Sequence, residues 1–343
     1  MGEIGPAELV AGVAVLALTA YVLLGGADFG GGVWDLLALG PRKREQRALI
    51  AEAIGPIWEA NHVWLILVVV LLFTCFPAAF ARLAIGLHIP LSLMLIGIVL
   101  RGSAFSFRSH YGPGHGEERA DSAIGQHWGR IFAIASAGTP VLLGLSVGAL
   151  AAGTLRPHGR AGFHETYVAP WLTPFGVGVG LLTLALFAFL AAVYLTVEAR
   201  EATLREDFRR RALGAAVAVF VAAFGTLALA RLGAPLMGRG LTTAPWAPAL
   251  HLATGVAAVT AIWALWSRRF RLARVAAAAQ VSLILWGWAL AQYPYLIPPD
   301  LTIRAAAAPR ITLVLSLWTL GLGTLVLFPS LIYLFRVFKP APR

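Results

Sequence analysis

The feature that most constrains this chain is its row of long, unbroken apolar runs. Nine can be marked, at about 7–27, 51–75, 83–105, 124–152, 172–198, 212–232, 248–267, 272–294 and 311–336. Each is long enough to cross about 30 Å of hydrocarbon at ~1.5 Å per residue of helix. That layer holds no water, so backbone N–H and C=O groups must pair within the protein, which leaves helices or closed barrels. The apolar residues run on without alternating, which selects helices. Composition agrees: 13% of residues are charged and 59% hydrophobic, against roughly 25% charged in a soluble domain. A globular fold of this length could not hide that much apolar surface. The expected fold class is an all-α integral membrane protein of about nine transmembrane helices, with 1–343 forming a single polytopic domain.

The net charge of +11 does not point to nucleic acid, because no separate basic domain exists. Lys and Arg fall in short blocks between the apolar runs, where they act as topology signals. Eighteen of the 27 lie on one side if nine spans alternate, among them Arg42, Arg44, Arg209, Arg211, Arg268 and Arg274. Seven, including Arg82, Arg239 and Arg304, lie on the other. The excess predicts an outside N-terminus and a cytoplasmic C-terminus. Glu3 and Glu8 precede or enter the first run with no basic residue before it, so that run is expected to be a retained span and not a cleaved signal peptide. The lone Cys75 excludes an intrachain disulfide and any cysteine-cluster metal site.

Ionisable groups inside apolar runs are costly in lipid and usually face a cavity or a partner. Asp28 follows Gly25-Gly26-Ala27 and precedes Phe29 and Gly30-Gly31-Gly32, in the cytoplasmic part of the first run. Glu59 is expected about two turns into the second run, with His62 at i+3 on a shared face and Glu52 one heptad earlier. Asp28, Glu59 and His62 would then form a polar line suited to proton transfer, since burial can bring a carboxyl group towards neutral pH. The plainer alternative is that they anchor helix packing, and for Glu52 that reading is preferred. Arg101 ends the third run, either paired with Asp28 or Glu59, or snorkelling to the headgroups. Trp58 adjoins Glu59 and carries an indole donor. No two histidines match in depth on different runs, so no haem held by this chain alone is expected. No metal site is expected, and phosphate-loop, zinc-protease and nucleophile-elbow motifs are missing from the sequence.

Four stretches together give the chain a family likeness. They are Gly25-Gly26-Ala27-Asp28-Phe29-Gly30-Gly31-Gly32; Ile54-Gly55-Pro56-Ile57-Trp58-Glu59-Ala60-Asn61-His62-Val63-Trp64-Leu65 with Phe76-Pro77-Ala78-Ala79-Phe80; Trp288 to Pro298 with Leu301-Thr302; and Tyr333 to Lys339. In that order the chain resembles subunit II of the cytochrome bd-type quinol oxidases. The Trp-Glu-x-Asn-His form at 58–62 is similar to the cyanide-insensitive branch; other members carry Asp where Glu59 stands and Glu where His62 stands. The resemblance implies a multi-pass protein of the bacterial cell membrane and a haem-free subunit of an enzyme that oxidises quinol and reduces dioxygen to water. It implies haem b and haem d on a partner subunit I, a heterodimer with that subunit, and in some members a small single-span subunit. It assigns Asp28 and Glu59 to a cytoplasmic proton route and places Trp58 and Arg101 near a haem propionate. A structural quinone within subunit II, and contacts to membrane lipid, are further expectations. A proton-coupled secondary transporter would use the same midplane acids and Gly/Pro-interrupted helices and is the alternative.

Overall fold

The computed structural model describes residues 4–54, 58–111, 123–155 and 162–338. Gly55, Pro56 and Ile57, the loop residues His115, Arg119, Arg156, His158 and Arg160, and the tail from Lys339 lie outside the described residues. The elements are α1 (Pro6–Leu36), α2 (Lys43–Ile54), α3 (Trp58–Cys75), α4 (Pro77–Gly86), α5 (His88–Tyr111), α6 (Ala123–Ala152), α7 (Phe163–Tyr167), α8 (Pro174–Glu198) and α9 (Ala202–Gly233). After them come α10 (Pro235–Thr243), α11 (Ala247–Trp266), α12 (Phe270–Gln292), β1 (Tyr295–Ile297), β2 (Leu301–Thr302), α13 (Ile303–Ala306) and α14 (Arg310–Phe338). Among the described residues eight helices are long and apolar enough to cross a membrane, and α2 with α3 makes a ninth span if the bent pair is counted as one.

Two expected boundaries change. The run at 51–75 is not one straight helix: α2 and α3 meet at 54°. The run at 83–105 begins later, at His88, and its helix continues to Tyr111. Arg101 therefore lies well inside α5 and not at its end. Pro77, in the first turn of α4, suits the end of α3, because proline lacks the N–H that a continuing helix needs.

α8 is the central helix. It carries no charged residue before Glu198, and α1, α6, α9 and α12 all pack on it. Apolar helices gain little from the hydrophobic effect in lipid, so close backbone approach must hold them together. Small residues permit it. A Cβ on Gly144 of α6 would stand 2.6 Å from the Gly180 Cα of α8, and one on Gly148 would stand 2.8 Å from the Gly176 Cα. Glycines spaced four apart on both helices thus mesh face to face. Around this seam Phe187, Phe189 and Leu190 of α8 pack with Tyr21 and Phe29 of α1 and with alanines of α9, α11 and α12.

The two ends of the bundle differ in chemistry. One end collects arginines in ion pairs: Arg42 with Asp207 (2.6 Å), Arg209 with Glu206 (2.6 Å), Arg200 with Glu52 (3.5 Å) and Arg274 with Glu198 (3.6 Å). The Asp207 carboxylate holds the Arg42 guanidinium above its ordinary range. At the opposite end the β1–β2 hairpin, which sequence patterning does not reveal, caps the bundle. Arg82 Nη1 donates to both Asp300 oxygens at 3.0 Å, Arg304 pairs with Glu8, and Ala308 N donates to Cys75 O at 2.8 Å. These bonds tie the hairpin and the start of α14 to α1, α3 and α4.

The glycine seam gives a direct check. Gly144→Leu should destabilise the protein by about 1–3 kcal/mol through overpacking and lower the thermal melting midpoint in detergent. Gly255→Ala, whose Cβ meets nothing within 4 Å, should leave the midpoint unchanged.

Candidate functional site

The site is built on the glycine run of α1. A Cβ on Gly30 would stand 1.9 Å from Phe187 O, and one on Gly32 would stand 2.2 Å from Ser136 Oγ. α1 is therefore wedged against α8 on one side and α6 on another. That wedge turns Asp28 inward, where it is 6% exposed. A carboxylate in such a place needs donors. Asn61 of α3 supplies one, its Nδ2 donating to Asp28 Oδ2 at 2.7 Å.

Arg101 of α5 enters the same interior and is 2% exposed. It does not snorkel. Its guanidinium carbon lies 4.7 Å from the Phe29 ring centroid and 5.5 Å from that of Phe132, a cation held between aromatic faces. Asp28, Tyr21 and Arg101 are within electrostatic reach of one another. Among the described residues, the buried Nε and Nη2 of Arg101 have no hydrogen-bond partner. Two guanidinium nitrogens left unsatisfied on a buried cation are costly and leave capacity for a further acceptor oxygen.

His62 completes the group. Its ring packs 5.9 Å from Tyr21 and 5.8 Å, edge-on, from Phe29. Asp28, His62, Asn61 and Arg101 are thus brought together from α1, α3 and α5. Glu59 is not. It stands in the first turn of α3 with its side chain exposed, not two turns into a span. Residues two apart on a helix differ by about 160° in direction, so with Asn61 turned to Asp28, Glu59 faces away. Glu52 is also exposed, paired with Arg200. The Trp58 side chain lies outside the described residues.

Asn61 and Tyr21 were missing from the sequence-derived site. An asparagine in an apolar run was the available signal for the first; a tyrosine facing inward gives none. Among the described residues no group of three or more His, Cys, Asp or Glu could hold a metal ion. In chemical terms the site offers a buried carboxylate, a partly buried imidazole and a buried, partly unsatisfied guanidinium.

Comparison with known proteins gives a consistent family. The sequence profile described as cytochrome bd terminal oxidase subunit II matches residues 6–338. Cytochrome bd ubiquinol oxidase subunit 2 of Bacillus subtilis is 41% identical over 96 residues, 28% of this chain and 28% of that protein. Cytochrome bd-I ubiquinol oxidase subunit 2 of Escherichia coli K12 is 28% identical over 185 residues, 52% of this chain and 45% of that protein. The chain thus aligns over less than half the length of these curated relatives. The bd oxidase of Geobacillus thermodenitrificans contains a chain of the same fold, with a TM-score of 0.76 at 21% identity over 98% of this chain and 99% of that one.

The contact between α1 and α3 can be tested by itself. Asn61→Ala removes a hydrogen bond to a buried carboxylate and should cost about 2 kcal/mol, read as a lower melting midpoint. Adding Asp28→Asn should recover part of that loss, since an amide tolerates the missing donor better. Glu59→Gln should leave the midpoint where it was.

Proposed function

Because the chain belongs to the cytochrome bd terminal oxidase subunit II family, we propose that it works as the haem-free subunit of a membrane-bound quinol:dioxygen oxidoreductase. It packs against a haem-bearing subunit I, and the haem b and haem d groups of that partner supply the redox chemistry. The observation that carries this reading is the buried Asp28–Asn61 contact with Arg101 close by, inside a bundle of membrane-crossing helices. Family membership leaves the transporter alternative without support.

Within the complex this chain's task is to move and hold protons and to meet an anion. Reducing dioxygen to water consumes protons, and drawing them from the cytoplasm makes turnover electrogenic. The arginine-rich end is the cytoplasmic one by the positive-inside rule. Glu59, exposed at the start of α3, collects protons at the surface facing the partner. Asp28 Oδ2 is the inner acceptor, poised by the Asn61 amide on one side and the Arg101 charge on the other. His62, packed between Tyr21 and Phe29, offers an imidazole beside that carboxylate. Arg101 receives a carboxylate from the partner's prosthetic group on its unpaired N–H groups, and the family resemblance gives Trp58 a part in the same contact. A structural quinone and a small single-span subunit belong to the same expectation, as do the substrates quinol and dioxygen.

Substituting Asp28 by Asn in the purified complex should slow oxygen consumption on the order of 10²-fold, the scale of a lost acid–base group, with haem content unchanged. Glu59→Gln should slow it less, because a surface donor is replaceable by water. Full turnover in Asp28→Asn would remove the proton-route reading while leaving family membership intact.

A further inference from the structure

A second built site lies at the arginine-rich end, away from Asp28. A cavity of about 260 Å³ opens there between the α1–α2 connection and the start of α9. Its polar lining is Arg42, Gln46, Asp207, Arg210 and Arg211, three guanidinium groups against one carboxylate. Arg42 is committed to Asp207 through two donated bonds, from Nε at 2.8 Å and Nη2 at 2.6 Å. Arg211 Nη2 donates to Gln46 Oε1 at 2.7 Å, while its buried Nη1 has no hydrogen-bond partner among the described residues. Arg210 is mostly exposed and touches Glu206 at 3.3 Å. The cavity thus keeps a positive surplus.

An apolar track leaves this cavity along α9. Arg210, Gly214, Val217, Val221 and Phe224 recur every three or four residues and so share one helix face. All five are exposed. Gly214 leaves open space on this face one turn from Arg210, since a Cβ there would meet nothing within 4 Å. From Gly214 to Phe224 the helix rises about 15 Å, the depth of one leaflet of a ~30 Å core. A positive pocket at the membrane surface, continued by a one-leaflet exposed apolar face, suits a single amphiphile with an anionic head.

We propose that this cavity and the exposed face beside it form a specific site for an anionic phospholipid: its phosphate sits among Arg210, Arg211 and Arg42, and an acyl chain lies over Gly214, Val217 and Val221. A free phosphate shares the headgroup chemistry but has no use for the apolar face. A neutral phospholipid can cover the apolar face but leaves the guanidinium surplus unmatched. The site is separate from Asp28 and Arg101, so its occupancy and the turnover of the complex can be read independently.

The test is native mass spectrometry of the detergent-solubilised complex purified through this chain, titrated with dioleoyl phosphatidylglycerol, dioleoyl phosphatidylcholine or inorganic phosphate, with haem content and oxygen consumption followed in parallel. Wild-type complex should retain phosphatidylglycerol in preference to phosphatidylcholine. Arg210→Gln should weaken that retention about fivefold, the effect of one basic residue near a membrane surface. Gly214→Trp sets an indole on that face without altering charge and should displace the lipid as well. Equal retention of both lipids by wild type and Arg210→Gln would overturn the proposal in favour of ordinary annular lipid. Displacement of phosphatidylglycerol by millimolar inorganic phosphate, with Gly214→Trp behaving as wild type, would overturn it in favour of a simple anion site.

Discussion

Backbone contact between α1 and α8 is the constraint on which the rest of this structure depends. Hydrocarbon surrounds the bundle, so apolar side chains gain nothing by leaving it for one another, and helices adhere through close packing and interhelical hydrogen bonds. At Gly30 the approach is so close that the Phe187 carbonyl oxygen occupies the place of a side chain. Trp34, one turn further on, donates its indole N–H to Ala188 O at 2.7 Å, so the same pair of helices is also stitched by a directional bond. With α1 fixed there, Asp28 has nowhere to point but inward, and α3 and α5 must answer it with Asn61 and Arg101. Packing thus comes first, and the polar interior is its product.

Much of this was legible in the sequence because lipid is a demanding solvent. Long apolar runs located the spans, and a lone acid among glycines located Asp28. What escaped were matters of phase and of backbone breaks. Glu59 and His62 do stand one turn apart, yet which face of α3 turns inward is decided by Asn61, a residue that periodicity treats as an interruption. Residues 51–54 join directly onto the apolar run that follows them, so the end of α2 was hidden inside an expected single span. Arg101 was ambiguous for a different reason: a long cationic side chain near the end of an apolar run is free to snorkel, and only the rings of Phe29 and Phe132 show that it does not. The hairpin at 295–302 is too short for any alternation to announce it.

The ends of the bundle show how a strongly basic chain avoids paying for its charge. At the arginine-rich end most guanidinium groups reach across helix boundaries, so Arg42, Arg200 and Arg274 tie α2, α8, α9 and α12 into one rim. Exposed pairs of this kind contribute little stability each. Their value lies in register, since each fixes the height of one helix against another. The opposite end uses fewer charges and more backbone, with the Arg82–Asp300 and Arg304–Glu8 pairs flanking hydrogen bonds such as Ile303 N to Pro294 O at 2.9 Å.

The contact at Gly30 also says how information is distributed along this chain. That position accepts one amino acid out of the whole alphabet, because anything larger collides with a carbonyl oxygen that cannot move without α8. A position such as Val256, exposed on α11, is asked only to dissolve in oil, and valine, leucine, isoleucine or phenylalanine would all satisfy it. Most of the outward surface is written in this permissive code and only a few inward letters in the strict one. A chain so built can replace the greater part of its spelling and still fold to the same shape.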